Sequence, residues 1–508
     1  MRNEVQLIAY ADRLGGSLAG LRRLLDGPLA GAFGGVHVLP FYRPFDGADA
    51  GFDPQDHLEV DPRLGTWDDL RALAEGRDVV VDAIVNHVSD ESPPCRDWLE
   101  RGDASPSAGM FLTLDAAFPD GVREEDLLRV YRPRPGLPFT PMTVGHARRL
   151  VWTTFTPAQV DLDVRHLRAR AYLHAVLERL AAGGARCVRL DAVGYAVKTP
   201  GTSCFMTAET LAFLRELAVE ARGLGLEVLA EVHSHFGLHL EVARHVDWVY
   251  DFALPPLVLH ALGTGDAAPL RHWLEIRPPN AVTVLDTHDG IGVIDVGADR
   301  ADPELHGLLG PAEVDALVEG IHERTGGASR RATGSAASNV DLYQVNSTFY
   351  DALGRDSRAY ALARLIQFFT PGVPQVYYVG LLAGGNDMGR LARTGVGRDV
   401  NRHVYSEDEV ADALDRPEVR ALWRLIAFRN AHPAFGGEMT CLEAGEGRLS
   451  LCWRAGGEEA RLDASLADAE YVVSWSQDGR TRRVDDIADL PGGSSAAPDG
   501  RPAHRVRT

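Results

Sequence analysis

The order of elements constrains this chain more than any single residue does. Short runs rich in β-branched residues close on polar or catalytic-type side chains, and most are followed by a stretch with helical period. Eight such runs read as strands, at residues 5–11, 35–41, 79–87, 187–194, 227–233, 248–252, 281–289 and 374–380. Residues 18–29, 67–73, 167–182, 208–224 and 360–369 read as intervening helices. Parallel strands with helical crossovers form either a doubly wound sheet or a closed barrel. Eight strands close a barrel, no Gly-rich dinucleotide turn follows the first run, and polar residues gather at the C-terminal ends of several strands, where barrels build their sites. The expected fold is therefore α/β: a (β/α)8 TIM barrel with two inserted subdomains and a small C-terminal β domain.

The interruptions set the domain limits. The barrel takes residues 1–84, 166–290 and 355–434. An inserted domain, 85–165, follows the third strand, because loops of that length without structure of their own are uncommon. It carries the proline-dense Tyr131-Arg132-Pro133-Arg134-Pro135-Gly136-Leu137-Pro138. A second insertion, 291–354, is expected to be loop-rich and mobile near the site, and holds Asp341-Leu342-Tyr343-Gln344-Val345-Asn346. From 435 to 508 the pattern turns short and alternating, as in Leu449-Ser450-Leu451-Cys452-Trp453, which reads as a β domain with a loosely ordered tail from about 491.

Composition removes whole classes of function. With 52 basic against 72 acidic residues the net charge is −20, so neither nucleic acid nor an anionic membrane is an expected partner. Lys198 is the one lysine and follows Val197, so no P-loop exists. H-E-x-x-H, G-x-S-x-G and C-x-x-C are likewise absent. Five widely spaced cysteines suit buried, reduced thiols, and no signal or spanning segment is read, so a cytoplasmic protein is expected.

Three strand ends carry an acid in polar company: Arg189-Leu190-Asp191, Glu231-Val232-His233 and Asp286-Thr287-His288-Asp289. Alone, each acid reads more often as a helix cap, a loop tether or a turn residue, and Asn86 and His87 read equally as anchors of the insertion. Together at converging strand ends they suit glycoside transfer, which needs a proton donor for the leaving oxygen and an anion for the developing oxocarbenium charge. In that reading Asp191 is the nucleophile, kept ionised by Arg189 on the same face of the strand, Glu231 is the acid/base, and Asp289 holds substrate hydroxyls, with His87 and His288 as donors.

Asp82-Ala83-Ile84-Val85-Asn86-His87, Val188-Arg189-Leu190-Asp191-Ala192, Glu231 and Thr287-His288-Asp289 resemble the four signature regions of the α-amylase superfamily of glycoside hydrolases and transglycosidases. The stretches 45–54, 131–139, 251–257, 280–295, 341–347 and 398–403 resemble, more narrowly, the sucrose phosphorylase family within it. The resemblance covers about residues 1–435 and implies reversible, retaining phosphorolysis of sucrose to α-glucose 1-phosphate and fructose by double displacement, with no cofactor and no metal. It implies Asp191, Glu231 and Asp289 as catalytic, and Asp49, His87, Arg189, His288 and Arg398 as groups on the glucosyl unit. Phe52, Phe155 and Tyr195 would form its apolar wall, with Gln159 and His233 also lining the site. Arg134, Asp341, Leu342, Tyr343 and Gln344 would serve the acceptor, where a chain of net charge −20 must supply local cations for phosphate. A homodimer through the inserted domain is also implied. The competing readings are phosphorylases of phosphorylated sucrose or glucosylglycerate-type glucosides, a sucrose hydrolase or transglucosidase, and a non-catalytic amylase-like binding protein.

Overall fold

The computed structural model describes residues 1–47, 49–133, 136–299, 304–334 and 344–492. All eight runs form strands: β1 (Gln6–Ala9), β2 (Gly35–Val38), β3 (Asp78–Ile84), β4 (Cys187–Asp191), β5 (Glu227–Ala230), β6 (Trp248–Asp251), β7 (Ala281–Thr283) and β8 (Val373–Tyr377). Each pairs in parallel with the next, and β8 pairs with β1, closing the barrel. Strands covered by helices outside and packed with side chains inside are buried on both faces, which is why the runs read as near-continuous apolar segments. The interior is nonetheless partly polar. Gln375 Nε2 donates to Gln6 Oε1 at 2.9 Å, Tyr250 Oη lies 3.2 Å from both Gln375 Oε1 and His37 Nδ1, and His37 Nε2 lies 2.9 Å from Asp82 Oδ2. Asp82 in turn pairs with Arg189, its register partner across β3 and β4. This chain of side chains runs across the barrel below the site.

The foreseen helices are present as Leu18–Asp26, Trp67–Leu73, Leu167–Ala182, Ala208–Gly223 and Ser357–Phe369. Local chemistry sets their starts: Ser17 caps the first, and Thr66 with Asp69 forms a capping box on the second. Leu254–Thr264 was not legible as a helix, since Leu254 through Ala261 are buried on every side and leave no polar face to mark the period.

All eight expected strands run one to six residues past their true C-terminal ends. β5 stops at Ala230 and β7 at Thr283, leaving Glu231 and residues 284–289 on loops. Behind β7 the ladder ends because side chains take over its carbonyls. Asn401 Nδ2 donates to Thr287 O at 2.7 Å and to Asp289 O at 3.1 Å, and Arg402 Nε donates to His288 O at 2.9 Å.

Between β3 and the Leu167 helix, His87–Ser89 pairs antiparallel with Gln159–Asp161, and Phe139–Val144 forms a hairpin with Ala147–Trp152. Between β7 and β8, Ile291–Gly292 pairs with Gln344–Val345, and a 14-residue helix, Pro311–Arg324, stands where loop was expected. Its start is signalled by Pro311 and by Glu313 Oε2 accepting from Gly310 N at 2.7 Å. The C-terminal part is a five-stranded antiparallel meander from Glu438 to Val484. It is fastened to the barrel by Trp453 Nε1 donating to Phe369 O at 2.7 Å, and by Trp475 edge-on to Phe428 with ring centroids 5.4 Å apart. The tail from 493 lies outside the described residues. All five cysteines are free thiols, four of them buried and Cys441 half-buried. No helix among the described residues is long and apolar enough to cross a membrane.

Candidate active site

Asp191 is the last residue of β4, and Glu231 follows β5 directly, so neighbouring strands of the barrel bring the two acids to one place. Ala192 adopts the left-handed conformation at φ +53°, which for a residue with a Cβ costs about 1–3 kcal/mol. The sharp turn aims the Ala192 N–H at Glu231 Oε2, 3.1 Å away. Arg189 lies beneath both acids. Its Nη1 donates to Asp191 Oδ1 at 2.9 Å and its Nη2 lies 3.3 Å from Glu231 Oε1, while Nη1 also pairs with Asp82.

That sharing corrects the expectation that Arg189 alone keeps Asp191 ionised. Burial and the facing Glu231 carboxylate push the Asp191 pKa well above the usual carboxylate range, against the opposing pull of an arginine divided among three acids.

Asp289 sits in the opposite electrostatic situation. Burial would raise its pKa, but Arg398 Nη1 at 2.8 Å from Oδ1, with Arg402 nearby, holds it far below the ordinary value. It is a permanent anion. Burial lowers the His288 pKa to about 3, so this ring is neutral, and it stacks on Phe52 with centroids 4.7 Å apart and planes 9° from parallel. Tyr10 meets its edge at 6.0 Å.

The far wall is aromatic. His87, also kept neutral by burial, packs edge-on against Phe155 at 5.2 Å, Phe155 against Tyr195 at 5.2 Å, and Tyr195 against Phe205 at 4.7 Å. Gln159 Nε2 bridges this wall to the opposite loop, 3.0 Å from His87 Nε2 and 3.5 Å from Asp49 Oδ2. The floor thus presents neutral rings and fixed carboxylates. Such a surface suits a polyhydroxylated ring, with apolar faces for sugar C–H groups and acceptors for hydroxyls.

His233 differs from the other two histidines. Burial alone would lower its pKa, but Asp295 Oδ2 at 2.9 Å from Nδ1, together with Glu231 and Asp289, raises it above the ordinary value. Asp295 itself, whose pKa burial would raise, is held down to about 2 by His233 and His239. Its Oδ1 also lies 3.2 Å from His239 Nε2 and accepts from Ser234 N at 3.1 Å. Only glycine fits at 292, where a Cβ would run into Asp295 Oδ2. His233 Nε2 lies 3.9 Å from Glu231 Oε1, so an imidazole with a raised pKa faces the Asp191–Glu231 pair. Glu231, His233 and Asp289 offer ligand atoms within 4.8 Å of one another, a set that could hold a metal ion. Arg398 on Asp289 and the raised His233 already supply positive charge there.

Of the residues foreseen from sequence, Asp191, Glu231, Asp289, Asp49, Phe52, His87, Phe155, Gln159, Arg189, Tyr195, His233, His288 and Arg398 are joined by the contacts just described. Gln344 is buried in the short strand paired to Ile291–Gly292, with no hydrogen-bond partner for Nε2 among the described residues. Arg134, Asp341, Leu342 and Tyr343 lie outside the described residues. Sequence reasoning gave no role to Asp82, Asp295 or Tyr10. Their partners lie far away in the chain, 62 residues for Asp295 and His233, so no local spacing could mark them.

Comparison with known proteins places this geometry in context. Residues 16–216 match the family described as alpha amylase, catalytic domain. A sucrose phosphorylase of Agrobacterium vitis is 56% identical over 478 residues, covering 94% of this chain and 98% of that protein. One from Bifidobacterium adolescentis is 53% identical over 500 residues, covering 97% and 99%. A solved structure of sucrose 6F-phosphate phosphorylase from Thermoanaerobacter thermosaccharolyticum aligns with a TM-score of 0.87 at 36% identity, over 95% of this chain and 98% of that one.

Proposed function

Because the chain belongs to the sucrose phosphorylase family of the α-amylase superfamily, we propose that it is a sucrose phosphorylase, a retaining hexosyltransferase that converts sucrose and phosphate reversibly into α-glucose 1-phosphate and fructose. The observation that carries the chemistry is Arg189 gripping Asp191 and Glu231 at once. Retaining displacement uses carboxyl groups about 5 Å apart, whereas inversion needs about 6.5–9.5 Å to admit a water between them, and acids side by side on one guanidinium suit the former.

The steps follow from the charges. Glu231, as the general acid, gives a proton to the glycosidic oxygen, releasing fructose. Asp191 attacks the anomeric carbon and forms a β-glucosyl ester. Asp289, anionic throughout, binds sugar hydroxyls whose hydrogen bonds strengthen as positive charge develops on the ring. Phosphate then enters, Glu231 takes its proton, and the phosphate oxygen attacks the anomeric carbon from the face fructose left, breaking the ester, freeing the Asp191 carboxylate and restoring the α configuration. His233 contributes an imidazolium on the acceptor side, together with Arg134, Tyr343 and Gln344 as the family motif implies. Plain sucrose is the proposed donor because the Arg134 and 341–344 motifs are intact in the sequence. The reading includes a homodimer, which light scattering would check by mass.

The test is incubation of the purified protein with sucrose, with and without phosphate, followed by assay of glucose 1-phosphate, its anomeric form and free glucose. Phosphate-dependent α-glucose 1-phosphate supports the proposal. Free glucose at equal rates in both tubes would indicate a hydrolase or transglucosidase. No reaction would direct attention to phosphorylated and glycerate-linked glucosides.

A further inference from the structure

Lys198 is the one lysine among 52 basic residues, and its side chain is buried. The other 51 of these 52 residues are arginine, so the exception asks for a geometric reason. Three acceptors converge on Nζ: the Asp161 carboxylate, Asn86 Oδ1 at 2.7 Å and the Tyr195 carbonyl. An ammonium has three donors on one atom and satisfies all three. A guanidinium is longer and planar, with its donors spread over a fork, and cannot direct three of them to one point.

Each acceptor belongs to a segment that carries a wall of the pocket. Asn86 precedes His87. Asp161 ends the short strand that begins at Gln159 and is the ladder partner of His87. It also accepts from Thr154 N at 2.9 Å and Thr154 Oγ1 at 2.6 Å, fixing the residue next to Phe155. Tyr195 is itself part of the aromatic wall. One buried ammonium therefore ties the end of β3, the insertion and the loop after β4 together behind the pocket.

We propose that Lys198 is a positioning residue for the glucosyl pocket, joining Asn86, Asp161 and Tyr195 so that His87, Gln159, Phe155 and Tyr195 stand in register against the bound sugar. The inference rests on the glucosyl-transfer reading above. No bond to substrate is assigned to Lys198. Its effect is carried by the residues it holds.

The test compares wild type with Lys198→Arg and with the charge-balanced double variant Lys198→Met, Asp161→Asn. Sucrose, α-glucose 1-phosphate and α-glucosyl fluoride serve as donors, because all three place the same glucosyl unit in the pocket. In folded Lys198→Arg, kcat/KM should fall 10-fold or more for all three alike, with the donor KM raised. A smaller fraction of folded enzyme leaves KM unchanged, so the rise separates positioning from mere stability. The partition of the glucosyl unit between phosphate and fructose should stay within twofold of wild type.

Wild-type kcat/KM in folded Lys198→Arg would overturn the proposal. So would a loss confined to sucrose, a changed partition or an unchanged donor KM. If Lys198→Arg does not fold, the double variant decides by the same criteria, and a double variant that also fails to fold would make Lys198 a determinant of folding and overturn the pocket role. A wild-type protein inactive on sucrose and phosphate would instead sink the activity reading from which this inference starts.

Discussion

Arg189 serves three acids, Asp82, Asp191 and Glu231, and no two of them stand in the same environment. Asp82 is fully buried against Arg189 and His37, Asp191 carries a raised pKa and Glu231 takes the second guanidinium nitrogen, while Asp289, outside this set, is held low by its own arginines. Replacing Glu231 by Gln should lower turnover of sucrose by about 10²–10⁴-fold, the usual contribution of a positioned acid/base. The first step on α-glucosyl fluoride should fall far less, since fluoride leaves without a proton. Equal losses on both donors would contradict the assignment. His233 offers a second residue-scale prediction. Asp295 raises its pKa, so the imidazolium persists below that raised value and is lost as pH rises through it. Asp295→Asn lowers the pKa, so the alkaline limb of kcat/KM for phosphate should move to lower pH. A pH profile with an unmoved limb would remove His233 from the acceptor side. At this scale the sequence showed the three acids clearly, because each ends a β-rich run. It could not show that Arg189 is divided, since Asp82 lies 107 residues away.

At the scale of elements, the barrel was legible because its strands are buried on both faces and its helices are mostly amphipathic. What overshot were the strand ends. The run 281–289 looks like one strand, yet the ladder stops at Thr283 and the Asn401 and Arg402 side chains hold the rest as loop. No local pattern carries that information, since the holding residues stand more than a hundred positions downstream. Asn401→Ala strips a donor from two carbonyls beside Asp289. Leaving buried acceptors unpaired costs about 1–3 kcal/mol. The denaturant midpoint should drop accordingly, and kcat/KM for sucrose should fall as the Asp289 loop loosens. Stability loss without a change in kcat/KM would show that the loop holds its shape without Asn401.

Across the whole molecule, the C-terminal meander acts as a brace, and its role separates from the chemistry. Trp453 and Trp475 pack on Phe369, Phe428 and Phe435, none of which is a site residue. Trp453→Ala should destabilise the protein by about 3–5 kcal/mol through lost packing and an unpaired Phe369 carbonyl, read as a lower midpoint in urea. The KM for sucrose should not change. A raised KM would mean that the brace reaches the pocket. The alternating pattern of this region was visible in the sequence, while its docking depends on two tryptophans whose partners no periodicity identifies.

The proposed mechanism requires a covalent glucosyl unit at Asp191, and trapping it tests the mechanism at its defining step. Glu231→Gln enzyme quenched after mixing with α-glucosyl fluoride should accumulate the ester, because glucosylation needs no acid with this donor while transfer onward lacks its base. Peptide mass analysis should then find one added glucosyl unit on the peptide containing Asp191, absent from Asp191→Asn controls. A glucosyl unit on any other residue, or no adduct from a variant that still consumes the fluoride, would contradict the mechanism.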